Sequence, residues 1–188
     1  MQSLDAANLS LSDSYRDSLV RFTAEVDNLK AHLIEKGWLL QGDEPLKLTL
    51  RAKHRGYTGA ELAQALEQEN IVCEFADPDL LVLMLTPEVG SDGLAKLEAA
   101  LDALPKRTAI DAAPPAFPPA ARALSIRDAA LSSCETLPVE RCLGRILAAA
   151  TVGCPPAVPI LVCGERIDEH ALACFRYYGI EGCTVVRE

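Results

Sequence analysis

An α/β (α+β) chain built as two small layered domains is what this sequence predicts, and three observations carry the expectation. Apolar residues recur at helical spacing over residues 12–37 and alternate with polar ones over residues 46–50. Helix-start and turn signals then divide the rest of the chain into short strands and short helices. Midway, Pro114, Pro115, Pro118 and Pro119 fall within six residues among alanines, a spacing that interrupts any regular element.

In the segment 12–37, Leu19, Phe22, Val26, Leu29 and Leu33 are spaced alternately by three and four, which places them on one helical stripe. Gly37 is a natural stop. Trp38-Leu39-Leu40 begins an apolar, strand-like run, and Gly42-Asp43-Glu44-Pro45 makes a turn. Leu46-Lys47-Leu48-Thr49-Leu50 reads as a strand with one buried face. Thr58-Gly59-Ala60-Glu61 fits a capping box opening a helix that runs to about Gln68 or Glu69. Strands are expected over 71–75 and 80–85, with Asp77-Pro78-Asp79 as the turn between them. Ser91 or Asp92 then caps a helix carrying Leu94, Leu97, Leu101 and Leu104. The order strand, helix, strand, strand, helix implies helices packed on one sheet.

Past the prolines, Ser125-Ile126-Arg127-Asp128 is a capping-box variant that starts a short helix. Residues 144–153 read as a strand or buried extended segment, with helix as the alternative. The run Cys154-Pro155-Pro156-Ala157-Val158-Pro159 fits neither a helix interior nor a central strand. A strand over 160–163, a turn at Gly164-Glu165-Arg166, a helix from Asp168 to Tyr178 ended by Gly179, and a strand over 183–186 complete the chain.

Composition narrows the function classes. At 188 residues with 49% hydrophobic and 24% charged residues, the chain is long enough and apolar enough for a true core. A net charge of -9 opposes general affinity for nucleic acid or anionic membranes. No apolar run approaches the roughly 20 residues of a membrane span, and the first residues lack a signal peptide's basic start and apolar stretch. The seven cysteines are odd in number and none is paired as C-x-x-C, so reduced thiols in a cytoplasmic protein and no zinc site are expected.

The last third carries the most specific pattern. Gly144-Arg145-Ile146, then Cys154-Pro155-Pro156-Ala157-Val158-Pro159, then Cys163-Gly164-Glu165-Arg166-Ile167 resembles the C-terminal domain of the ornithine/lysine/arginine decarboxylases. That family shows G-R-x, Y-P-P-G-I-P and P-G-E-x-[IL] in this order. Cys154, Ala157 and Cys163 replace its tyrosine, glycine and proline. Earlier matches are Ser3-Leu4-Asp5-Ala6-Ala7 to S-L-D-x-A, and Asp43-Glu44-Pro45-Leu46-Lys47-Leu48-Thr49 to D-P-x-K-x-T with one extra residue. Tyr57-Thr58-Gly59-Ala60-Glu61-Leu62 and Ile71-Val72-Cys73-Glu74 follow G-x-x-G-x-E-L and I-x-x-E.

The resemblance implies a fold-type-I pyridoxal phosphate enzyme, dimeric or larger, that decarboxylates a basic amino acid to a diamine or agmatine. It implies an aminotransferase-like small domain with its linker helix over 1–113, a proline-rich linker over 114–120, and the decarboxylase C-terminal α/β domain over 121–188. The family's Schiff-base lysine lies in an S-x-H-K context in a large domain. None of Lys30, Lys36, Lys47, Lys53, Lys96 or Lys106 follows Ser-x-His, and no glycine-rich phosphate loop leads into a helix. No catalytic, cofactor-binding or metal-binding residue is therefore expected here, and the isolated chain is expected to be inactive. Its partners would be the missing large domain of the same polypeptide and further copies of the enzyme. The stripe over 12–37, which would lead back to that domain, is expected to be partly exposed and to favour self-association.

Within the chain, Cys154, Pro155, Pro156, Pro159, Gly164 and Glu165 are the candidate substrate-access or interface motif. Prolines placed for backbone shape in a rigid crossover, and a solvated turn carboxylate at Glu165, are the plainer account of the same residues. Lys47, Arg51, Lys53, His54 and Arg55 form the single basic cluster, which reads as solvated surface or contact with the missing domain rather than an anion site. His32 is expected on a helix surface. His170 and Cys174 share a helix face but lack two further metal ligands. A second overall reading keeps the same residues but makes the chain a non-catalytic module that regulates such an enzyme.

Overall fold

The computed structural model describes residues 2–12, 15–116, 118–149 and 159–188, which form two compact units, 1–111 and 112–188. Both are α+β, each with its own three-stranded antiparallel sheet and hydrophobic core.

The first unit opens with helices α1 (Gln2–Ser12) and α2 (Tyr15–Glu35). The α2 stripe is buried, with Phe22, Val26, Leu29 and Leu33 at most 4% exposed and Leu19 half-buried. The expected partial exposure of that stripe is thus corrected: it lies in the core, and the exposed large apolar side chains of these two helices are Leu4, Leu9 and Leu11 of α1 and Val20 and Ile34 of α2. Trp38 is buried, and Leu40 pairs with Leu50, so the apolar run after Gly37 lines the outer edge of strand β1 (Lys47–Arg51) without becoming a full strand. Gln41 N–H donates to Thr49 O and Arg51 N–H to Leu39 O. Thr49 is buried as well as Leu48 and Leu50, so β1 is covered on both faces rather than on one.

The capping box forms in full: the Thr58 hydroxyl accepts from Glu61 N–H, and the Glu61 carboxylate accepts from Thr58 N–H, at the head of α3 (Gly59–Gln68). Gly59 is required there, because a β-carbon would stand 2.0 Å from Leu80 O. Strand β2 is only Phe75–Ala76, shorter than the expected 71–75. Asn70 takes a positive φ and Val72 is 83% exposed, so the chain leaves α3 through an open turn before it meets a neighbouring strand. Asp77 Oδ1 accepts from the amides of Asp79 and Leu80, closing the expected turn.

Strand β3 (Leu80–Met84) is the middle strand, in the order β1-β3-β2, and its Leu81, Val82 and Leu83 are all buried. Helix α4 (Gly90–Ala103) continues from a 3-10 turn at Pro87–Val89, so neither Ser91 nor Asp92 is its cap. Ser91 donates to Glu25 instead. Its apolar face holds Leu94, Leu97 and Leu101 in the core, with Leu104 packed against them. The end of α2 is tied to α4 by Lys36, which hydrogen-bonds Glu98 and Asp102 and whose ammonium pKa these carboxylates raise.

In the second unit, Ser125 caps α5 (Ile126–Leu131) by accepting from Asp128 N–H. Strand β4 (Cys134–Pro138) was not expected from the sequence. It runs beside β6 (Gly182–Val186), the central strand in the order β4-β6-β5. Strand β5 (Leu147–Ala149) lies inside the expected segment 144–153, whose residues 150–153 are outside the described ones. Residues 160–163 bend and turn rather than form the expected strand. Their backbone serves a turn instead, with Glu165 N–H donating to Val162 O. Asp168 caps α6 (Glu169–Tyr177) by accepting from Ala171 N–H, and Gly179 ends it at a φ of +70°. The core gathers Leu137, Val139, Leu147, Ile167, Phe175 and Val185.

Candidate functional site

Of the motif residues, Cys154, Pro155 and Pro156 lie outside the described residues. Pro159, Gly164 and Glu165 are described, and all three lie in the bend and turn leading into α6. Three extended segments meet there. Gly164 O accepts from Ala123 N–H (2.8 Å) and Leu124 N–H (3.0 Å), while Gly164 N–H donates to Leu147 O (2.8 Å). Glu165 O accepts from Leu147 N–H, Arg166 N–H donates to Ala121 O, and Ile167 exchanges bonds with Arg145 and Gly144. The segment 164–167 is therefore laced between 121–124 on one side and 144–147 on the other.

Glycine is dictated at 164. Its φ of +91° lies in the left-handed region, and a β-carbon would stand 2.4 Å from Leu124 O. The Glu165 carboxylate turns back to accept from Val162 N–H at 2.8 Å, holding its own turn closed. These contacts explain the Gly-Glu pair as backbone engineering: the glycine admits the close crossing and the glutamate fixes the turn before it.

Arginines outside the candidate site set, two of them within the quoted family pattern, complete this layer. Arg122 Nε–H donates to Leu124 O, and Arg166 donates to Gly144 O. Arg145, only 15% exposed, donates to both Glu135 Oε1 and Val186 O at 2.8 Å, and its Nε lies 3.2 Å from Glu188 without a hydrogen bond's alignment. The Arg145 hydrogen bond holds the Glu135 carboxyl below its ordinary range, and the same bond raises the guanidinium. A Gly-Arg pair preceding a strand was the available signal for Arg145, but its partners come from residues distant in sequence.

The basic cluster of the first unit does not converge on one point. Lys47 pairs with Glu44, and Lys53 with Asp79 at 2.7 Å. The Arg55 guanidinium stacks 4.6 Å from the Trp38 ring centroid and donates to Lys36 O, while Arg51 and His54 are exposed. His32 reaches Glu98 at 3.4 Å. His170 is exposed whereas Cys174 is buried with its thiol toward Pro115 O, and among the described residues no three His, Cys, Asp or Glu side chains gather as metal ligands.

A Schiff-base lysine needs a desolvated amine beside a cofactor cleft. Here Lys30 donates to the carbonyls of Glu44 and Pro45, Lys36, Lys47 and Lys53 are paired with carboxylates, and Lys96 and Lys106 are exposed. The lysines present do not fit pyridoxal phosphate.

Residues 101–181 match the family model described as the Orn/Lys/Arg decarboxylase, C-terminal domain. The chain is 30% identical over 208 residues to an arginine decarboxylase of Halalkalibacterium halodurans, covering 98% of this chain and 42% of that protein. It is 27% identical over 139 residues to an arginine decarboxylase of Bacillus subtilis, covering 69% of this chain and 28% of that protein. The chain thus spans less than half the length of these curated relatives. In fold it is similar to a lysine decarboxylase of Francisella novicida, with a TM-score of 0.55 at 13% identity over 96% of this chain and 40% of that one. A constitutive lysine decarboxylase of E. coli gives 0.54 at 16% identity, over 91% and 40%. Residues 101–181 are thus similar to the C-terminal domain of the Orn/Lys/Arg decarboxylases, and the chain shares the fold of solved lysine decarboxylases along more than nine-tenths of its length.

Proposed function

We propose that the chain is the C-terminal part of a pyridoxal-phosphate-dependent decarboxylase of a basic amino acid, and that it acts by closing the active site and by making oligomer contacts. The observation that carries this reading is the alignment to an arginine decarboxylase over 98% of this chain but only 42% of that protein. In such a parent, pyridoxal phosphate would be held by residues outside this chain and would supply an electron sink there. The residues of this chain would supply shape. The reading that Cys154, Pro155, Pro156, Pro159, Gly164 and Glu165 line substrate access or an interface is supported by the laced backbone at Gly164 and Glu165. The isolated chain is inactive in this reading, and the intact enzyme is cytoplasmic. Among the described residues no helix is long and apolar enough to cross a membrane.

The test begins with an antibody raised against the chain and the size of the native polypeptide in its source cells. A band well above 20.2 kDa, followed by carbon dioxide release from arginine, lysine or ornithine by that polypeptide but not by this chain, is the expected result. A native band at the chain's own size would overturn it.

A further inference from the structure

We propose that Cys142 and Cys183 are a disulfide-forming pair, which a thiol oxidant joins inside the second unit without remodelling its sheet. The proposal goes beyond the decarboxylase reading and does not depend on it. Cys183 stands directly opposite Leu137 in the β4–β6 register, and directly opposed residues of an antiparallel pair point to the same face. Here that face is the core. After Pro138 a 3-10 turn, Val139–Arg141, reverses the chain and brings the Cys142 thiol onto the carbonyls of Leu137 (3.6 Å) and Pro138 (3.2 Å).

The turn is fixed at both ends. Cys142 N–H donates to Val139 O, and Val139 N–H donates to Glu181 O, immediately before β6. Both cysteines are thereby held in one buried cluster, 0% and 1% exposed. Burial, with the neighbouring Cys142 adding to it through its charge and a side-chain hydrogen bond, pushes the Cys183 thiol up to about 12. A thiol so raised stays protonated at neutral pH, and the thiolate is the attacking species. The pair therefore reacts through transient opening of the sheet, later than the exposed Cys134.

The chemistry balances simply. Two S–H bonds break and one S–S bond forms, while two protons and two electrons pass to the oxidant, an azodicarboxamide that becomes the hydrazine. The bond closes a loop containing β5 and α6, whose entropy it removes from the unfolded chain.

The experiment treats the full chain with diamide at pH 8, with and without urea below the unfolding transition, caps remaining thiols with iodoacetamide, and maps peptides without reduction. The expected product is one dominant intramolecular link between the Cys142 and Cys183 peptides, formed faster as urea is added. Melting of the second unit should rise by on the order of 10 °C and return on reduction. Cys142→Ser and Cys183→Ser should each abolish both the link and the rise. Recovery of both residues as capped free thiols while other cysteines pair would overturn the proposal, as would a link that lowers the melting temperature. Should the serine variants not fold, the wild-type peptide map decides alone.

Discussion

Replacing Gly164 with alanine tests whether the laced layer rests on a single close crossing. Two costs add. Holding an L-residue at a φ of +91° costs about 1–2 kcal/mol. The new β-carbon would also stand 2.4 Å from Leu124 O, a backbone atom that cannot rotate away, so the segment 121–124 must retreat by several tenths of an ångström. That retreat weakens the bonds from Ala123 and Leu124 to Gly164 O, each worth about 0.5–1.5 kcal/mol net. The sum is about 2–5 kcal/mol. Gly179→Ala is the control: its φ is +70°, but nothing lies within 4 Å of the added carbon, so about 1–2 kcal/mol is expected. Peptide-resolved hydrogen exchange across a urea series, read on β4 and β6, measures both variants in the unit that contains them. Equal losses in the two variants would refute the reasoning, because the crossing would then contribute nothing beyond conformation.

Four further outcomes are expected. Thr58→Ala should cost the first unit about 1 kcal/mol in urea unfolding followed by Trp38 fluorescence, Trp38 being the chain's single tryptophan and buried there. The Glu61 carboxyl is held below its ordinary range, first by the Thr58 amide and then by its hydroxyl, so its contribution is full above the unfolded pKa and fades as pH falls through the lowered one. Glu61→Gln should therefore shift the urea midpoint at pH 7 and converge with the parent in acid. Glu135→Gln should behave alike in the second unit, since its carboxyl is lowered chiefly by Arg145; a gap that persists unchanged at pH 3 would count against the ion pair. Leu101→Ala removes a fully buried side chain and should cost about 2–5 kcal/mol by the same fluorescence assay.

Several features decided within four or five residues were legible, although the cap expected at Ser91 or Asp92 was not one of them. The box at Thr58–Glu61 and the caps at Ser125 and Asp168 rest on neighbours in sequence, and all three form. Strand β4 was illegible because Cys134-Glu135-Thr136-Leu137-Pro138 gains its pairing from β6, far along the chain, and buries only Leu137. Residues 160–163 show the opposite failure: an apolar run reads as a strand, yet here its backbone closes a turn. The motif at Gly164-Glu165 was legible as a pattern but not as a mechanism, since the close carbonyl comes from Leu124, far earlier in the chain. Arg145 was hidden for the same reason, its acceptors being Glu135 and Val186.

The two sheets, ordered β1-β3-β2 and β4-β6-β5, share a consequence for the order of assembly. In each, the strand that reaches the sheet last in the chain is the one that occupies its middle. During synthesis β1 and β2 wait for β3, and β4 and β5 wait for β6, so neither sheet can grow outward from a finished edge. Each unit should therefore remain without its ladder until one late segment emerges, and then complete both of its pairings almost together. For the second unit, losing residues 182–186 would remove the sheet itself rather than shorten it.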